Sequence, residues 1–101
     1  MALLEISIAP LGTSVTSISS YVTRAIKALR EEEKANYVLT AMGTIIEGEL
    51  EELMRLAIKM HQAVLSDDVN RVLTTIKIDD RRDNIPTLTS KVTAVEKQLG
   101  N

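Results

Sequence analysis

The chain's chemistry must come chiefly from its carboxylates and hydroxyls. Glu47 stands in "MGTIIEGE", residues 42–49, a stretch that otherwise reads as a strand, where carboxylates are depleted. Glu5 stands in a second such segment. Two carboxylates on one surface could act as an acid–base pair, as in glycosidases. One alone could accept charge-assisted hydrogen bonds from an amino heterocycle. Thr13 and Ser14 follow Gly12, and Thr44 follows Gly43, so two glycine-containing turns carry hydroxyl and backbone donors. Thr13 and Ser14 could instead cap a helix or hold an anion at its start. The glycines and lysine of a P-loop are missing there. His61 is the single histidine and there is no cysteine, so thiolate chemistry is excluded, and no serine has a recognisable His and acid partner. Asp79, Asp80 and Asp83 are interrupted by Arg81 and Arg82, a pattern of salt-bridged solvated charge rather than of a hard-metal site.

These residues must be positioned by a small aliphatic domain. The 101 residues suffice for one domain, 1–101, with one modest core. Apolar residues make up 45%, with two Tyr and no Phe or Trp, so no aromatic platform for single-stranded nucleic acid exists. Net charge is −2 with the signs mixed, which leaves no basic stripe for nucleic acid. No stretch is long and apolar enough to read as a membrane span, and "MALLEIS" lacks the pattern of a signal peptide. The expectation is a soluble, cytoplasmic protein.

Alternation over residues 3–9 predicts a strand, broken by "PLGTS". Apolar spacings of three and four predict a helix over 15–34, whose tail "REEEK" sets acids against the helix dipole. Residues 37–42 and 44–48 read as a hairpin turned at Gly43. Glu49, Glu51 and Glu52 open a second helix, with His61 at the edge of its apolar stripe. Residues 71–79 read as a fourth strand. A last helix, 87–99, carries Leu88, Val92, Val95 and Leu99 as a packing stripe that could also dock a neighbouring subunit.

The order βαββαβ plus a C-terminal helix is the ferredoxin-like α+β signature, an antiparallel sheet in the order 4-1-3-2. Ile6, Ile8, Ile46, Ile76 and Ile78 should face the helices. The open face receives Glu5, Ser7, Thr40, Ile45, Glu47, Leu73, Thr75 and Lys77, a mixture suited to a small-molecule site or a wet interface. Antiparallel pairing of strands 1 and 3 brings Glu5 near Glu47, a repulsive arrangement unless something lies between them. Lys77 could neutralise Glu5 and leave Glu47 for a ligand. The loop 12–14 is expected to approach the turn at 43–44.

The combination "ISIAPLGTS", "MGTIIEGE" and "TTIKIDDRRD", in that order and across nearly the whole chain, resembles the small thiamine-binding proteins of ferredoxin-like fold. The resemblance implies a homo-oligomer, typically a tetramer built as a dimer of sheet-packed dimers. It also implies binding of thiamine or its hydroxymethylpyrimidine portion without catalysis and without a cofactor. The residues fit that ligand class. A 4-aminopyrimidine presents an amino group beside a ring nitrogen, and one carboxylate can bond both. On that reading Glu47 anchors the pyrimidine, Thr13, Ser14, Gly43 and Thr44 bond the hydroxyl end, and Glu5 and Thr75 complete the surface. Two alternatives differ in class: an oligomerisation module without a ligand, and a small hydrolase using Glu5 and Glu47, which an open sheet without a deep cleft disfavours.

Overall fold

A computed structural model describes residues 1–12, 19–66, 68–83 and 89–100. Strand β1 is Ala2–Leu11, helix α1 Ser19–Arg30, β2 Asn36–Thr40, β3 Gly43–Gly48, α2 Leu50–Val64, β4 Arg71–Asp80 and α3 Ser90–Gln98. The strands form one antiparallel sheet in the order β2-β3-β1-β4, the expected ferredoxin-like α+β arrangement. Alternation along β1 drives it: Ala2, Leu4 and Ile6 are buried, and the residues between them are less so. These three meet Ile46 of β3, Tyr21, Ala25 and Leu29 of α1, and Leu53, Leu56, Ala57, Met60 and Val64 of α2 in one core. Burying each large aliphatic side chain contributes about 1.5–3 kcal/mol. Helix α2 starts from an extended Glu49 without a side-chain cap. Glu51 and Glu52 in its first turn favour the helix dipole instead.

Several expectations change. Pro10 does not end the first strand. It lies buried inside β1 opposite Val72. Pairing with β3 has by then ended at Ile6–Thr44, so a residue without an N–H is tolerated on the open edge. Gly43 is not the hairpin turn: Ala41 and Met42 are, and Gly43 opens β3 opposite Thr40. Ile76 and Ile78 do lie on the helix side, opposite Ile6 and Leu4, but they are 38% and 44% exposed, because β4 is an edge strand that α2 overlaps only in part. Helix α3 lies off the sheet, and Val92, Val95 and Leu99 are 57%, 54% and 71% exposed. Its apolar stripe therefore does not serve this chain's core. The acids after α1 acquire a reason. Glu31 bonds Lys59, and Glu32 bonds both Lys59 and Arg55, tying the end of α1 to α2.

Candidate functional site

Strand β3 begins only at Gly43, beside Ser7, while β1 continues to Leu11. The step this leaves is roofed by α1, because the short hairpin ends below the helix. The result is a cavity of about 460 Å³, within the range of small-molecule sites. Ile6, Ser7 and Ile8 form its floor, Ser19, Val22, Thr23 and Ala25 its roof, Leu39 to Thr44 one wall, and Met60 the rear. The walls are mainly aliphatic, with Ser19, Thr23, Thr40 and Thr44 among the lining residues, while the Ser7 side chain alternates to the opposite face of the sheet. Thr44 is buried, so its position is set by packing.

The hairpin wall is braced from within. The Thr40 hydroxyl accepts hydrogen bonds from Met42 N at 3.2 Å and Gly43 N at 3.1 Å, and donates to Gly43 O at 2.8 Å. A Cβ on Gly43 would lie 2.8 Å from the Ile6 carbonyl oxygen, so glycine is needed here for close approach. Behind the roof, Arg24 of α1 stacks 4.9 Å above the Tyr21 ring and forms two bonds to Asp68, at 2.8 and 3.1 Å. The Arg24 and Ser66 hydrogen bonds hold the Asp68 carboxyl well below its usual range. His61 lies at the core edge, its Nδ1 2.6 Å from Thr74 Oγ1.

Of the expected site residues, Gly43 and Thr44 line this cavity. Thr13 and Ser14 lie outside the described residues. Gly12 follows the end of β1, five residues beyond Ser7, or roughly 16 Å of strand away from Gly43, so Gly12 itself does not reach the hairpin turn. Glu5 and Thr75 lie on the opposite face of the sheet, Glu5 beside Lys77 and Thr75 beside Ser7. Glu5 does not oppose Glu47: it opposes Ile45, and Glu47 opposes Leu3, which leaves the two carboxylates diagonal. Glu47 instead borders a second cavity, of about 580 Å³, at the far end of the hairpin with Glu31, Glu32, Glu33, Lys34 and Glu52. There it accepts a hydrogen bond from Asn36 Nδ2 at 3.4 Å. Arg55 and Lys59 lower the Glu32 carboxyl to about 2. The cavity-lining Val22, Thr23 and Leu39 were not singled out from the sequence as site residues, since nothing in their spacing separates a cavity lining from a packed helix or strand.

A family model described as "Thiamine-binding protein" matches residues 4–96. The chain belongs to that family. It is 43% identical to UPF0045 protein YqgV of Bacillus subtilis, across 98% of both chains. It is 45% identical to a UPF0045 protein of Methanothermobacter thermautotrophicus, across 94% of this chain and 96% of that one. Among solved structures, hypothetical protein MJ1052 of Methanocaldococcus jannaschii superposes with a TM-score of 0.84 at 35% identity, covering 95% of this chain and 96% of that one. A protein of Thermotoga maritima described as a putative thiamine biosynthesis/salvage protein shares the fold, with a TM-score of 0.77 at 20% identity, covering 93% of this chain and 97% of that one. The family description is of binding, and no helix among the described residues is long and apolar enough to cross a membrane.

Proposed function

We propose that this chain binds thiamine or its hydroxymethylpyrimidine portion, without turning it over, in the cavity between α1 and the end of the β2–β3 hairpin. Membership of the thiamine-binding family carries the reading. The cavity supports it by its size and by its aliphatic walls carrying a few hydroxyls, the composition expected where a flat heterocycle is gripped by contact and oriented by few polar groups. The reading includes assembly of the chain into a homo-oligomer, supported by the uncovered apolar residues of β4 and α3.

Calorimetric titration with thiamine and with hydroxymethylpyrimidine tests this. Saturable heat is expected from at least one of them, and no heat at millimolar ligand overturns the reading in favour of an oligomerisation module. Thr44→Val keeps the volume and removes the hydroxyl, so it should cost about 0.5–1.5 kcal/mol of affinity. Glu47→Gln reports on the acidic cavity instead. A loss with Glu47→Gln and none with Thr44→Val would move the ligand to the far end of the hairpin.

A further inference from the structure

The cavity floor holds a backbone edge that the sheet itself leaves unused. Along a strand, successive residues direct their N–H and C=O groups to opposite edges. Two observations fix the phase in β1. The Ile6 carbonyl oxygen reaches to 2.8 Å from where a Gly43 Cβ would stand, so Ile6 is directed at β3. In addition, Thr40 and Gly43 close the two-residue hairpin by facing each other, which turns the next residue, Thr44, toward Ile6. Ile8 and Pro10 therefore share the Ile6 edge, and β3 has ended before it reaches either. Pro10 has no N–H to leave unpaired. Ile8 has both groups, lines the cavity, and has no hydrogen-bond partner for them among the described residues.

We infer that the Ile8 backbone N–H and C=O are the polar subsite of this cavity, and that they pair edge-on with an amino heterocycle. A 4-aminopyrimidine has an amino donor beside a ring-nitrogen acceptor, and an extended residue offers an acceptor and a donor on one side in matching order. Ile8 is partly buried, and a half-closed cavity hydrates such an edge poorly, so a ligand that satisfies both groups supplies hydrogen bonds that water there does not. The subsite rests on the thiamine reading above but substitutes a strand edge for a carboxylate as the pyrimidine's partner. It also explains why this edge ends in proline: beyond Ile8 nothing remains to pair.

The Ile8→Pro variant deletes the donor and spares the β4 ladder, since the Ile8 N–H points away from it. Its affinity for hydroxymethylpyrimidine should fall at least tenfold. Ile8→Ala shortens the side chain but keeps the N–H, and should lose clearly less. The Ile8 amide resonance of the unmodified protein should shift on titration with hydroxymethylpyrimidine, and much less with the analogue carrying methyl in place of the amino group. Binding with an unmoved Ile8 amide, or equal losses in Ile8→Pro and Ile8→Ala, overturns the subsite and leaves the thiamine reading standing. Should thiamine and hydroxymethylpyrimidine fail to bind while free 4-aminopyrimidine still shifts the Ile8 amide, the subsite stands and the thiamine reading falls. If thiamine and hydroxymethylpyrimidine do not bind and 4-aminopyrimidine leaves that resonance unmoved, both fall. The amide measurement needs no substitution, so a variant that does not fold cannot shield the inference.

Discussion

Gly43 is the residue at which sequence and structure give different reasons for the same amino acid. A glycine between two strands reads as the turn, where positive φ is wanted. The only described glycines with positive φ are Gly12 and Gly100. The constraint at Gly43 is a neighbouring backbone carbonyl 2.8 Å from any Cβ, a contact between distant segments that local sequence cannot reveal. Gly43→Ala must move one strand against another and should destabilise the fold by about 1–3 kcal/mol, the range for overpacking. Urea denaturation measures this, and an unchanged midpoint would show that the hairpin yields freely. Thr40→Val removes a donor–acceptor group that makes three bonds in the turn, and should cost about 0.5–1.5 kcal/mol. Gly43 and Thr44 were expected at the site and line the cavity, so part of the hairpin wall was legible, although its register opposite Ile6 was not. The cavity's roof was not, because Val22 and Thr23 carry no mark that separates a cavity lining from a core.

The elements themselves were legible where a two- or three-to-four-residue period dominates. All four strands and the three helices fall where apolar spacing puts them, to within a few residues at their described ends. Errors arise where an element's environment, rather than its period, decides. Pro10 continues a strand because that stretch of β1 has one neighbour only. The acidic turn after α1 opposes its own helix dipole but faces the cations of α2. That ion network gives a pH dependence at the scale of the helix pair. Bonds from Arg55 and Lys59 lower the Glu32 carboxyl from 4.5 to about 2, and Arg24 lowers that of Asp68. A carboxyl depressed in the folded state binds its proton more readily in the unfolded chain. Its stabilisation is therefore complete above the unfolded value and is lost as pH falls through the folded one. For Glu32 the loss should run from about pH 4.5 to about pH 2. The exposed partners are screened by solvent, so the slope is expected to be shallow and to flatten further in high salt. Glu32→Gln should flatten stability against pH in that window and leave the slope near neutrality unchanged, as read from denaturation midpoints at a series of pH values.

At the scale of the whole molecule, the accessible surface exceeds that of a compact monomer, which bears on the proposed assembly. The accessible area is 7059 Å², whereas a compact monomer of this mass exposes about 5,700 Å². The radius of gyration is 15.1 Å, against about 13 Å for a compact chain of this length. Exposed apolar residues lie in two places that the core leaves out: α3, with Val92, Val95 and Leu99, and the helix side of β4, with Ile76 and Ile78. Lys91 bonds Asp79 at the base of α3, which holds the start of the helix near the end of β4. The excess over the compact value, roughly 1,400 Å², exceeds the ~800 Å² that each partner contributes to a standard interface. A second copy of the chain that covers these residues would bring the surface back into the usual range. Sedimentation at micromolar concentration should therefore report an oligomer, and a monomeric mass would contradict that. Val92→Glu with Val95→Glu places two charges in the α3 stripe without touching the core. It should lower the assembly state and leave the far-ultraviolet dichroism of the domain intact. If the double variant keeps the full mass, assembly runs through the open sheet face instead, and Leu73→Glu, where Leu73 is 59% exposed, should break it. The two outcomes are not equivalent for the cavity. Its floor and roof are built by Ile6 to Ile8 of β1 and by α1, and no described residue of α3 lines it, so ligand affinity should survive the α3 variant even where assembly does not.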